Sequence, residues 1–467
     1  MRKKLLMMLA TLGVAVAMVL LVELGLRVAG VGGFDPARDS RLKYQQIFQP
    51  TFRPAKLAYG REVLATADPR LPYQWIAPQK PANALRVLVF GESAISGLGF
   101  SPNVTVVREL ERQLCAACPD RVLEVINLGI VALPSKQVRR LVEEAVEHYA
   151  PDAVVIYCGN NEFLEIHAEK YADHIASGGE KVLRALSRSH IYGALRGLAR
   201  PPSRVPNVST SDVADNDQRV SEARMIEFVG VDAIERAELV ARHAENLRAM
   251  AACCAAAKVP CVIAAVAVNW EWLGRTDPPA EWIEAYCGGA SGEAGLRHAL
   301  GALRAELASA SERERYLTHW RMGEVHRRLG EWPEAVAQYR ASLNGDPHLR
   351  RCRDEMNEGA LAAARATGVG FVDTPRELAA LDEHGMVGFG DFYDYVHFTP
   401  RGAARTAWLV YGELARLQVF TPAPEHDARA FLAAREAKFA ALESDAKAVG
   451  DFLGIGSSPR RIVDRDL

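Results

Sequence analysis

Three short apolar runs, Arg86 to Phe90, Val122 to Asn127 and Ala153 to Cys158, constrain this chain more than any other feature. Each is too short for a core helix, each stops at a glycine-bearing turn, and segments of helical spacing lie between them (about Val104 to Leu114, then Ser135 to Tyr149). Largely apolar runs of this length read as buried strands. Their alternation with helices predicts a parallel sheet flanked by helical layers, a fold that binds ligands beyond the carboxyl ends of its strands. Farther along, a long alanine-rich helix is expected over Val231 to Lys258. A strand follows over Val259 to Val268, ending at Asn269-Trp270, and a last strand over Gly370 to Asp373. A helix over Pro400 to Leu417 comes next.

The alternation is interrupted. Thr276-Asp-Pro-Pro279 breaks the pattern, and helical segments then run from Glu281 to Arg365. Within them, Tyr316 to Leu349 places Gly323, Leu329-Gly330, Ala335, Tyr339 and Pro347 at the offsets of a tetratricopeptide repeat, whose two helices need small residues at their crossing and an aromatic wedge. A single repeat cannot bury its own face, so neighbouring helices should pack on it. It serves as a helical cap on the main domain or as a docking surface for a protein partner, the cap being the favoured reading. Pro201 to Arg219 reads as a polar loop, and the tail from Pro422 carries one helical segment, Asp427 to Ala448.

At the N-terminus, Arg2-Lys3-Lys4 precede an uncharged apolar run from Leu5 to Val22, with Glu23 and Arg27 after it. The run is at the short end of a membrane span but long for the core of a cleaved signal, and Val28-Ala29-Gly30 is a poor cleavage site. An uncleaved signal anchor in the inner membrane is expected, its basic end cytoplasmic and the body periplasmic or extracytoplasmic. Residues 34 to 83, rich in Pro, Arg and Tyr without periodicity, read as an extended connection.

In 467 residues, a formal net charge of -2 with no basic cluster in the body argues against a nucleic-acid partner. Eight cysteines in so long a chain are not a disulfide scaffold. Cys115-Ala-Ala-Cys118 lacks a second CxxC or histidine cluster and reads as an accessible pair at a helix end. Cys158, Cys253, Cys254 and Cys261 sit in apolar surroundings and read as small core residues.

Candidate chemistry collects at the strand ends. Gly91-Glu-Ser93 follows the first strand, Asn127-Leu-Gly129 the second and Gly159-Asn-Asn161-Glu162 the third, while Asp394-Tyr-Val-His397 precedes the last long helix. In order and residue type these segments resemble the four blocks of the SGNH or GDSL hydrolase family, over roughly Leu85 to Leu417 with the middle as an insertion. The resemblance implies Ser93 as nucleophile, His397 as general base and Asp394 as the group that orients it. It implies an oxyanion hole of the Ser93 N–H, the Gly129 N–H and the Asn161 side-chain amide. The residue types suit those tasks: a serine hydroxyl needs an imidazole to take its proton, and a carboxylate fixes the imidazole's tautomer. Asp394 and His397 are three apart, one helical turn, which puts both on one face. A helix after Ser93 would point its positive end at the same spot. Glu92 and Glu162 stand where the family has Asp.

Weaker candidates are His167, which could line the mouth of the site but reads as a solvated helix histidine; Asn269 and Trp270 at a strand end, read equally as substrate contacts or a structural turn; Arg351 and Arg353, which could bind an acidic substrate group but read as helix-surface arginines; and Asp373, read as a helix cap and as the substitute for Asp394. The expected whole is a three-layer α/β domain of the SGNH-hydrolase kind with an all-α tetratricopeptide-like insertion and an N-terminal transmembrane helix. Its parts are residues 1–27 as anchor, 28–83 as linker, 84–280 and 367–420 as the two pieces of the hydrolase domain, 281–366 as the insertion with its repeat at 316–349, and 421–467 as the tail. The implied activity is hydrolysis of an acyl or acetyl ester of a lipid or cell-envelope glycan through an acyl-serine intermediate, without metal or organic cofactor. Acyl transfer by the same residues, and a non-catalytic membrane-anchored scaffold, are the alternatives.

Overall fold

The computed structural model describes residues 2–32, 47–164, 166–167, 186, 189–199, 231–273, 282–311, 314–347 and 351–443. The expected loop at Pro201 to Arg219, the break at Thr276 to Pro279 and the end of the tail beyond residue 443 lie outside them. The chain divides into two units, Met1–Ile47 with Glu165–Val220, and Phe48–Leu164 with Ser221–Leu467.

The first unit contains the helix Arg2–Val28, in which Ala10–Val28 is long and apolar enough to cross a membrane, and a second helix, His190–Ala199.

The second unit opens with an antiparallel sheet of β1 (Phe52–Lys56), β2 (Glu62–Thr66) and β3 (Trp75–Ile76). The expected extended connection is therefore a folded sheet from residue 52 onward. Its strands are short and amphipathic, and Pro54 sits on the edge strand β1, where a missing N–H is tolerated.

A five-stranded parallel sheet forms the centre: β4 (Ala84–Gly91), β5 (Val122–Gly129), β6 (Ala153–Tyr157), β7 (Cys261–Ala264) and β8 (Gly370–Val372), in the order β5-β4-β6-β7-β8. Every residue of β4 and β6 is buried. Arg86, a charge inside β4, is matched by the Glu124 carboxylate (2.6 Å) and the carbonyls of Tyr149 and Ala77. Only Cys261–Ala264 of the apolar run to Val268 pairs as a strand. Beyond it, Ala265 N–H still donates to Val372 O, and side chains then hold the backbone, with Val266 N–H donating to Asn357 Oδ1 and Ala267 N–H to the Tyr157 hydroxyl oxygen.

Helices Ser135–His148, Ala233–Ala256 and Asp354–Thr367 pack side by side, as do Val106–Ala117 and Pro400–Arg416. Because β4 pairs with both β5 and β6, the chain reverses its direction of travel across the sheet at β4. The carboxyl end of β4 is thus a topological switch point, where crossovers diverge and leave a crevice. Register aligns Gly91 with Gly129 on one side and Tyr157 on the other, so three strand ends stand level.

Between β7 and β8, helices Trp282–Tyr286, Gly292–Ser309 and Arg315–Arg328 share a core of Ile283, Leu300, Leu303, Met322 and Val325, and the helix Trp332–Gly345 follows. Arg315–Arg328 and Trp332–Gly345 form a tight hairpin in which Tyr339 is buried against Gly323 and donates its hydroxyl to Glu324. The helix Ala428–Glu443 closes another cluster, Phe100, Val104, Ala404, Leu432 and Phe439.

Candidate active site

Ser93 leaves the end of β4 at the switch point and begins a single helical turn, Ser93–Ser96. So short a helix has almost no macrodipole, which removes the expected electrostatic help from a helix end. The serine hydroxyl is instead partnered directly: Ser93 Oγ lies 2.8 Å from His397 Nε2, and His397 Nδ1 lies 2.6 Å from Asp394 Oδ2. Ser93 and His397 are 7% and 5% exposed.

Asp394 and His397 are brought together by a turn rather than a helix. Asp394 Oδ1 accepts from the N–H groups of Val396 (2.9 Å) and His397 (2.8 Å), while Oδ2 takes the imidazole. A carboxylate bonding its own following backbone competes with helix formation, and this is the physical reason the helical reading of that spacing failed. The imidazole ring lies between Tyr393, stacked at 5.7 Å, and Tyr395, edge-on at 5.9 Å. Tyr393 donates its hydroxyl to Leu98 O, linking the histidine loop to the loop after the serine.

The expected oxyanion donors differ in availability. The Ser93 N–H has no acceptor among the described residues. Gly129 is a glycine by necessity, since a Cβ there would fall 2.3 Å from Ser96 N, but its N–H donates to Asn127 Oδ1 at 2.9 Å. The structure thus leaves Gly129 engaged within its own strand end. Asn161 directs one amide hydrogen to the carboxylate of Glu92. The second hydrogen of that amide remains for another acceptor.

Glu92 is the residue whose role sequence reasoning missed, although its departure from Asp marked the position. It is fully buried, and its Oε1 accepts from the N–H groups of Gly159 (3.0 Å) and Asn160 (2.7 Å) while Oε2 takes Asn161. The carboxylate therefore holds the whole loop after β6. Burial pushes its pKa up to about 8, and the charge of Glu162 adds to the rise, against the N–H donors that lower it. Glu162 in turn accepts from the N–H (2.5 Å) and hydroxyl (2.8 Å) of Ser135, tying the same loop to the start of a helix.

Asn269 is a fully buried tether rather than a substrate contact: its amide donates to Asp394 O (2.9 Å) and its N–H to Tyr395 O (3.0 Å). Trp270 is buried, with the Arg340 guanidinium over its ring. Arg351 and Arg353 are not surface arginines. Arg351 donates to Asn269 O (2.5 Å) and Trp272 O (2.6 Å), and Arg353 to the carbonyls of Asn344 and Asp346. Burial lowers the Arg353 pKa to about 10. His167 is buried, not solvated. Asp373 caps Thr374–Leu381 by accepting from Arg376 N–H, as expected. All eight cysteines are free thiols, with Cys115 exposed and Cys118 buried.

No protein-family model matches the chain, and no curated protein does. Among solved structures, LAE5, an alpha/beta hydrolase enzyme from the metagenome of Lake Arreo, Spain, is 11% identical. It covers 72% of this chain and 97% of its own at a TM-score of 0.33. A GDSL-like lipase from Parabacteroides merdae is also 11% identical and covers 73% of this chain and 100% of its own at a TM-score of 0.31.

Proposed function

We propose that the chain is a serine ester hydrolase of the SGNH or GDSL kind. The observation that carries this reading is the unbroken order Ser93 hydroxyl, His397 imidazole, Asp394 carboxylate at 2.8 and 2.6 Å, placed at the switch point of a parallel sheet. Asp394 holds Nδ1–H, which leaves Nε2 as the base. Nε2 takes the proton of Ser93 as Oγ attacks the ester carbonyl. The oxygen that gains negative charge is met by the Ser93 N–H and the free hydrogen of the Asn161 amide, preorganised donors each worth about 3 kcal/mol of barrier. Gly129 N–H joins them when Asn127 Oδ1 releases it. Collapse expels the alcohol, which receives the proton from Nε2, and leaves an acyl-serine. Water, deprotonated by the same nitrogen, then frees the acid.

The apolar helix Arg2–Val28 supports a membrane anchor, and the substrates this reading favours are acyl or acetyl esters of lipids or envelope glycans. The helix hairpin at Arg315–Gly345 fits a tetratricopeptide-like cap. Purified chain should hydrolyse p-nitrophenyl acetate or butyrate, and Ser93→Ala or His397→Ala should lower kcat by at least about 10³-fold. Hydrolysis undiminished in both variants would refute the assignment.

A further inference from the structure

We propose that the helix His190–Ala199 is a second membrane contact, lying in the headgroup boundary beside the anchor. The inference rests on the reading of Arg2–Val28 as a membrane span and adds a site to it.

Glu23 is a carboxylate inside the apolar window Ala10–Val28, where an isolated charge is costly. It is not isolated. Its Oε1 accepts from His190 N–H (2.9 Å) and Arg27 Nε (3.1 Å), and its Oε2 accepts from Ile191 N–H (3.0 Å) and the Ser189 hydroxyl (2.8 Å). The first N–H groups of the second helix, orphaned in any isolated helix, are thus satisfied by a side chain of the first. Ser189 Oγ also accepts from Tyr192 N–H. His190 Nδ1 is 3.0 Å from Val31 O, just after the first helix ends.

The backbones touch as well. A Cβ on Gly193 would lie 1.6 Å from Gly32 O, and one on Gly32, at φ +73°, would lie 2.1 Å from His190 O. Only glycine at both positions allows this crossing, and it locks the start of the second helix to the exit of the first.

Depth follows from the geometry. Glu23 is five residues from Val28, or about 7 Å along a helix at 1.5 Å per residue. Helices that lie in a membrane surface bury their apolar face about 5–10 Å, the same depth. The second helix is apolar by sequence, with Arg196 its sole permanently charged residue. Leu195 is 61% exposed, and Val28 (84%) and Val31 are exposed with it. An apolar surface continuous with a bilayer span has the bilayer as its natural cover, because the headgroup boundary extends outward from the point where the span leaves the hydrocarbon.

The test uses the full chain in vesicles of phosphatidylcholine and phosphatidylglycerol, with a benzophenone amino acid at Leu195 and, in a second preparation, at the exposed span residue Leu20. After irradiation, lipid adducts at position 195 should reach within about threefold of those at position 20. Abundant lipid adducts at 20 with fewer than about a tenth as many at 195 would overturn the inference and leave the span intact. Protein cross-links at 195 in place of lipid would overturn it too and point to a second chain as the cover. Lipid adducts at neither position would overturn the membrane reading itself.

Discussion

The side-chain amide of Asn161 donates to the buried carboxylate of Glu92, the residue immediately before the serine. One amide hydrogen is thereby fixed, so under the proposed function the other is oriented toward the oxyanion before substrate arrives. Asn161→Ala should lower kcat about 10²- to 10³-fold with KM little changed, because the interaction strengthens as charge develops. Glu92→Asp keeps the carboxyl group but withdraws it by one methylene from Asn161 and the Gly159–Asn160 N–H groups. An intermediate loss in kcat of about tenfold is expected from the displaced donor. Steady-state kinetics on one ester would check both, and a KM effect without a kcat effect would contradict the role.

Stability should depend on pH through the same carboxyl group. Glu92 rises from an ordinary value of 4.5 to about 8, and Asp391 from 3.8 to about 6, in both cases chiefly by burial, with Arg405 and Arg401 opposing the rise at Asp391. Both pKa values are raised in the fold. Each contribution is therefore complete below the ordinary value and is lost as pH climbs through the folded one. Over that window each group costs about 1.4 kcal/mol per pH unit. Thermal unfolding should show Tm falling between about pH 5 and 8, and Glu92→Gln should flatten the part above about pH 6. A slope unchanged in that variant would disprove the assignment to Glu92.

Asp394→Asn retains the shape of the turn but no longer fixes the imidazole tautomer, and kcat should fall by about 10³- to 10⁴-fold. The circular dichroism spectrum and Tm should stay near those of the parent. A loss below tenfold would mean that Asp394 does not orient His397.

Arg351→Met tests the link between the helical segment and the histidine loop. It removes the donors to Asn269 O and Trp272 O, next to the Asn269 amide that holds Asp394 O. Leaving the buried Asn269 carbonyl and the half-buried Trp272 carbonyl without these donors should cost about 2–4 kcal/mol, read by urea unfolding. Activity at low temperature should fall by a smaller factor than in Asp394→Asn.

The strands and the serine-histidine-carboxylate set were legible in the sequence because parallel strands buried on both faces leave continuous apolar runs and their polar ends stand out. Where long-range contact sets the role, the sequence pattern was silent. Asn269 and Arg351 act on backbone atoms of segments distant in the chain, and nothing in their neighbours marks that. Gly129 was legible as a close approach but not as a donor already given to Asn127, two residues away. The strands β1 to β3 were hidden by their shortness and by charged residues, the half-buried Arg53 and the exposed Lys56 and Glu62.

Under the proposed function Ser93 is a nucleophile activated by His397. Incubation of the chain with a fluorophosphonate, followed by digestion and mass spectrometry, tests it most directly. One stoichiometric adduct is expected on the peptide containing Ser93, abolished in Ser93→Ala and slowed by at least about 10²-fold in His397→Ala. An adduct on any other residue, or labelling that persists in Ser93→Ala, would contradict it.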